Sequence, residues 1–554
     1  GANVTGVTEN SATSALTVSG AITVAAGGTT LTNNNASGSS LLTLTGGTLG
    51  TGDLITDNNS SIAYGITITG TQVNNAGIVS NAGTGSGSTL ISAAIGPNVT
   101  STQENSVTSP LILNGPLVVN GSATLTAANG SLLNFSGGVT GTGTLYLDNN
   151  SSTNGGLTIS GGSIDNAGTV VNNGTGTGST LISTTIGSNV TGITQNSTTS
   201  ALNITGGITV NSSGLTLTNT STSSIMSVTG GITGTGNLTL NNDTSLVNGI
   251  TISGTAVDNA GTITNSGTGT GNSLISAAIG SNVTGVIENS TTSALDIGGP
   301  LTVNASGTTI TNANTSGSSI VTISGGVTGT GDLILQNNSA IADGITISTA
   351  MINNTGAVTN SGTGTGETLI SGGIGANVTS VTENSGTSAL TISGPITVNA
   401  TLINANASGS SILSVTGGVV GTGTLTLDNN SAIADGITIS GASVNNTGTV
   451  TNSGTGTGST LISAVIGANV TGVTQNSATS ALTLSGTNTY TGGTTISAGT
   501  LHIPGSIAVS TAGNLGNTAA AVTITGGGIL DYTGAGGSFG LPVNTTSGIG
   551  EVTN

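Results

Sequence analysis

The chain has 554 residues, 18 acidic side chains and no lysine or arginine, so its formal net charge is −18. An ordinary chain of this length carries roughly 60 basic residues, and their absence excludes neutralising a nucleic-acid backbone or gripping an anionic membrane through a basic patch. Cysteine is absent too, which removes disulfides and thiolate metal sites.

The apolar share is 34%, aromatics are 1%, and 96 residues are glycine. An aromatic-rich globular core is therefore out of reach. A mean hydropathy of +0.28 with so little charge argues equally against disorder, which needs low hydrophobicity and high net charge. No apolar run approaches the roughly 18 residues of a membrane-spanning helix, so no direct membrane insertion is expected. The chain opens Gly-Ala-Asn without a methionine, which reads as a mature product or a fragment. Lysine–asparagine isopeptide bonds are impossible, so backbone pairing and packing are expected to carry the stability.

The first stretch, residues 1–95, sets the pattern. It opens with Asn3-Val4-Thr5 and Glu9-Asn10-Ser11. Leu16-Thr17-Val18, Ile22-Thr23-Val24, Leu42-Thr43-Leu44 and Ile66-Thr67-Ile68 alternate apolar with threonine, the period of a half-buried strand. Glycine, asparagine and serine turns separate them. Asp57-Asn58-Asn59-Ser60 lies eight residues before Gly65.

These phrases return. The Asn-Val-Thr phrase recurs at Asn98, Asn189, Asn282, Asn377 and Asn469, at intervals of 95, 91, 93, 95 and 92 residues. The second phrase recurs at Asp148, Asn241, Gln336 and Asp428, and Gly-Thr-Gly-Thr-Gly before Leu-Ile-Ser, as in 174–183, closes most units. The units are 1–95, 96–186, 187–279, 280–374 and 375–466, with a partial sixth at 467–554. A period near 93 residues fits either a string of sandwiches or a β-solenoid. Sandwiches need bulky side chains between their sheets, which these units lack. The expectation is all-β: a parallel β-solenoid of roughly 24–28 short coils, built in tandem units of about 93 residues.

Residues 482–516 add a more specific signal. Leu482-Thr483-Leu484-Ser485-Gly486-Thr487-Asn488-Thr489-Tyr490-Thr491-Gly492-Gly493-Thr494-Thr495-Ile496, then Gly499-Thr500-Leu501 and Leu515-Gly516, closely resembles the autotransporter-associated β-strand repeat of bacterial autotransporter passengers. The resemblance implies a right-handed parallel β-helix exported to the bacterial surface.

The repeats also weigh each candidate for chemistry. Glu9, Glu104, Glu288 and Glu383 share one position with Gln195 and Gln475. Asp57, Asp148 and Asp428 share another with Asn241 and Gln336. Charge is dispensable at both, and Glu288→Gln is expected to behave as a surface change. Asn10, Asn105, Asn196, Asn289, Asn384 and Asn476 never vary, nor do Asn58, Asn149, Asn242, Asn337 and Asn429. They are expected to be structural turn or ladder asparagines, because asparagine tolerates left-handed turns and stacks its amides. Calcium-binding acidic repeats and paired hydrolytic carboxylates are missing, and no cofactor or metal is expected. His502, with no acid or cysteine beside it in sequence, reads as an exposed strand residue.

The functional expectation is a non-enzymatic, secreted or cell-surface structural protein that self-associates into filaments. Tyr490, Tyr532 and Phe539 are candidate assembly contacts. An adhesin rod meeting an unidentified surface or glycan is the alternative, and an ice-binding solenoid the second.

Overall fold

A computed structural model describes the chain except residues 506, 508–510, 518–519, 535–541, 546–550 and 554. The described residues form parallel β-solenoid turns, about 23 in all. The described residues contain no helix, and so none long and apolar enough to cross a membrane. Contacts divide the chain into two units, Gly1–Ala277 and Ala278–Asn554.

In the first unit each turn has three sides. The first side stacks Gly6–Glu9, Thr29–Asn33, Leu54–Asn58 and Ile78–Asn81. The second stacks Leu16–Val18, Leu42–Leu44, Ile66–Ile68 and Thr89–Ile91. The third is shorter, with Ile22–Val24, Thr48–Gly50 and Gln72–Val73. Every strand pairing is parallel, and partners lie about one turn apart in sequence: Leu16 pairs with Leu42, Leu42 with Ile66, and Thr89 with Leu111. Pairing crosses residues 95 and 96 without a linker, since Ala94–Ile95 joins Leu117. In one turn a single strand, Leu133–Asn149, runs round all three sides, bending at Gly138, Gly141 and Gly143, all with positive φ.

The second unit repeats the plan. Its first side includes Gly285–Glu288, Thr308–Asn312, Leu333–Asn337 and Val358–Asn360. Its second includes Leu295–Ile297, Val321–Ile323 and Ile345–Ile347. Single parallel bridges such as Ile352 to Ile374 to Ile396 complete the third.

The alternating sequence decides what lies inside. In Leu333–Asn337 the leucines and Asn337 are buried while Ile334 and Gln336 face outward. Stacked Leu, Ile and Val fill each interior, and most are wholly enclosed. Each such side chain contributes about 1.5–3 kcal/mol. Small aliphatics suffice because the next turn lies only about 4.8 Å away.

Candidate functional site: an interior column of amides and carboxyls

Where the first side bends into the second, the aliphatic interior is interrupted by a polar column. A side chain here must satisfy backbone groups that the bend releases, because burying them unpaired is costly. Asn58 shows how. Its Oδ1 accepts from the backbone N and Oγ of Ser60 (3.2 and 2.7 Å), and its Nδ2 donates to the Ser88 carbonyl of the next turn (2.9 Å). Asn149, Asn337 and Asn429 repeat this arrangement. Asn242 makes the inter-turn bonds to Gly271 and Asn272. All five are fully buried.

The glycine phrase, Gly-Thr-Gly-Ser-Gly at 83–87, packs directly on the corner of the turn before it. A Cβ on Gly83, Gly85 or Gly87 would lie 2.3, 2.0 and 2.0 Å from the carbonyl oxygens of Asn58, Ser60 and Ile62 one turn earlier. Only glycine lets the two backbones approach this closely. The residue between the glycines faces out: Thr84 gives its N–H and hydroxyl to Asn59 Oδ1 (2.9 and 2.7 Å). Thr175, Thr268, Thr363 and Thr455 do the same with Asn150, Asp243, Asn338 and Asn430. Only an acceptor is needed, so aspartate serves at 243. The turn between the two phrases places Tyr64, Asn248, Asp343 and Asp435 at φ of 53–59°.

The other invariant asparagines lie on the outside. Asn10, Asn196, Asn289, Asn384 and Asn476 are exposed and Asn105 is half-buried. Asn34 Nδ2 donates to Asn10 Oδ1 (3.0 Å), and Asn59 Nδ2 to Asn34 Oδ1 (3.1 Å). Asn196 donates to Asn173 Oδ1 (2.7 Å), and Asn105 to Ser80 Oγ (3.3 Å). Asn384 and Asn476 enter the stack through backbone N–H bonds to Asn360 and Asn452.

The glutamates correct an expectation. Glu9, Glu104, Glu288 and Glu383 are not surface groups; they point inward and are buried. Glu104 Oε1 accepts from Ser106 N (2.6 Å) and its Oε2 from Asn81 Nδ2 (2.9 Å). Glu383 does the same with Ser385 N (2.7 Å) and Asn360 Nδ2 (2.8 Å). Burial pushes both carboxyls up to about 8, against the bonds that favour the charged form. At the equivalent place Gln195 accepts from Asn172 Nδ2 (2.6 Å) and donates to the carbonyls of Ser197 and Ser200 (3.0 and 2.9 Å). Stacking thus carries Glu104 to Ala127 and Asn149, and after a two-residue slip Asn172 to Gln195. The aspartates of the second phrase are half-buried on the outer face. Burial raises Asp148, Asp428 accepts from Ser453 Oγ, and Gln336 accepts from Thr311 Oγ1 (3.3 Å).

His502 is a second correction. Stacking places it against Asp531, 29 residues on, with Nδ1 to Oδ2 at 2.8 Å and both side chains about a third exposed. Thr553 Oγ1 donates to the other carboxylate oxygen (3.0 Å). Tyr490 is a third. It is fully enclosed, its hydroxyl 2.8 Å from Thr494 Oγ1, and it offers no surface to a neighbour. Tyr532 is also buried, and Phe539 lies outside the described residues. Among the described residues no three acidic, histidine or cysteine side chains are grouped to hold a metal ion.

Fold and column together define a repeat solenoid stapled by buried amides. Three stretches, 139–165, 420–445 and 479–503, match the family model of the passenger-associated transport repeat, in keeping with an autotransporter passenger β-helix. No curated protein and no solved structure matches the chain. The matches share Leu-x-Leu followed ten residues later by Gly-Gly or Asp-Gly: Leu145 and Gly155, Leu425 and Asp435, Leu482 and Gly492. They occupy different phases of the turn. Leu145–Leu147 lies on the first side, paired with Val170–Asn172. Leu482–Leu484 lies on the second, paired with Thr460–Ile462, and its turn takes 19 residues to reach Leu501.

Proposed function

We propose that this chain is a structural part of a secreted or cell-surface passenger, and that copies associate into a fibre, sheath or matrix. The passenger repeats carry the extracellular part of this reading. The structural part is supported by the disposition of polar groups. The buried carboxyls and amides are engaged in joining turn to turn, and the outer faces are threonine, serine and asparagine with few charges. Sparse charge leaves little repulsion to oppose packing of one copy on another, and salt should matter weakly. An ice-binding face is less well supported, because the outward threonine row of the second side is broken by Leu90, Leu181, Leu369 and Leu461.

Electron microscopy of the native material, with light scattering of the purified chain, tests the proposal. Filaments that grow with concentration are expected at low and high salt alike. A monodisperse monomer at high concentration that binds intact cells would overturn it in favour of an adhesin.

A further inference from the structure

In the Asn-Val-Thr phrase only the valine serves the interior. Val99, Val190, Val283, Val378 and Val470 are buried, while the asparagine before each and the threonine after it are exposed. The phrase closes a tight turn where the third side bends into the first: Val99 N donates to Gly96 O (3.1 Å), and Val378 N to Gly375 O (3.3 Å). The asparagine stands third in that turn without positive φ, a place open to most residues. Its backbone N–H is held from one turn earlier, by Asn74 Oδ1 at Asn98 (3.0 Å), Asn353 Oδ1 at Asn377 (3.1 Å) and Asn445 Oδ1 at Asn469 (3.2 Å).

The asparagine's own amide does no such work. Among the described residues the side-chain amides of Asn98, Asn377 and Asn469 have no hydrogen-bond partner, and neither have the hydroxyls of Thr379 and Thr471. Asn189 differs in giving its Nδ2 to Asp165 Oδ2 (3.0 Å), a bond that uses one of its two hydrogens. All six copies nevertheless keep both asparagine and threonine, while the residue just before them drifts through Ala2, Pro97, Ser188, Ser281, Ala376 and Ala468. Asparagine, any residue but proline, then threonine is the acceptor sequence for N-linked sugars on exposed turns.

We propose that this corner is a row of N-glycosylation sites, with Asn98, Asn377 and Asn469 as acceptors, served by a transferase that draws on a sugar diphosphate. Asparagine Nδ2 bonds to the anomeric carbon of the sugar. The bond from that carbon to the diphosphate oxygen breaks, and the diphosphate leaves with its electron pair. One amide proton passes to a base on the transferase, and the other stays on the nitrogen. The sites do not depend on whether copies build a fibre. From Asn377 to Asn469 the phrase advances four turns, roughly 19 Å at the usual strand spacing, which leaves room for a sugar at each.

The same acceptor sequence also stands at Asn58, Asn149, Asn337 and Asn429. Those amides are fully buried and bonded to the next turn. A sugar there would part the turns, so folded chains carry none, and the two sets are acceptor and control within one molecule.

The test is peptide mapping of the native material, denatured, cut with proteinase K and sequenced by electron-transfer mass spectrometry. Peptides holding Asn98, Asn377 and Asn469 should be heavier than their sequences by whole sugar residues borne on the asparagine. Those holding Asn58, Asn149, Asn337 and Asn429 should have their sequence mass. A single sugar at each site supports the proposal with a nucleotide-linked donor, and a fixed block of sugars supports it with a lipid-linked one. Made in the producing organism, Asn377→Gln and Thr379→Val should each strip residue 377 and leave Asn98 and Asn469 decorated, whereas Thr379→Ser should keep the sugar. Circular dichroism of each variant should match the wild type, since both positions are exposed. Native chains with bare asparagines at 98, 377 and 469 overturn the proposal. So does sugar found on the threonine hydroxyls instead, on the buried set, or still on Asn377 in Thr379→Val.

Discussion

A carboxyl enclosed among aliphatic side chains prefers to keep its proton. Glu104 and Glu383 hold theirs to about pH 8 in the folded chain, whereas in the unfolded chain they release them near the ordinary glutamate value of 4.5. Between those limits the folded state binds more protons, so stability falls as pH rises through that window and levels off beyond it. Urea midpoints should therefore drop between pH 5 and pH 9, by an amount worth on the order of a few kcal/mol. The double variant Glu104→Gln, Glu383→Gln should flatten that slope. A wild-type profile that rises over this range would mean the carboxyls are solvated. The inward direction of these residues was legible: Val381 and Glu383 keep the period of two that buries Val381. Glutamine at the equivalent place in two units masked it, because an amide is equally consistent with a surface turn. The His502–Asp531 pair was not legible, since no local spacing links residues 29 apart before the stacking register is known.

At the scale of the element, the glycine corner governs how closely two turns approach. Gly364→Ala would set a Cβ 2.0 Å from the Ser339 carbonyl. The strand cannot retreat without losing the bond from Gly364 N to Asn337 O. A loss of about 1–3 kcal/mol is expected, as for other overpacked sites. Gly386→Ala, whose Cβ would meet nothing within 4 Å, should be neutral or slightly stabilising. Equal denaturation midpoints for the two variants would show that the corner is loose. Strands and glycine corners could both be read from period and phrase. The side of the turn each strand occupies could not. Leu145-x-Leu147 and Leu482-x-Leu484 look alike in sequence and sit on different sides, because the length of the intervening loops sets the phase.

At the scale of the whole chain, the described strands of each unit pair in parallel with strands of the neighbouring turns, and the sequence gives trypsin nothing to cut. Proteinase K, which needs an extended segment lifted clear of its neighbours, should act slowly on the folded chain and rapidly once it is denatured. Fast cutting of the native chain into pieces near 93 residues would point to separately folding repeats instead.

The glycine corner also has a consequence for time. A corner such as residues 83–87 has no shape of its own until the backbone of residues 58–62 lies beneath it. Each turn is thus a mould for its successor, and its partners are close in sequence: Thr89 closes on Leu111 and Leu42 on Ile66. Closing so short a loop costs little entropy, and low sequence separation favours speed. Growth by accretion follows, one layer after another from any layer already set. A chain emerging gradually from a narrow passage could solidify as it appeared, without waiting for the remainder to arrive.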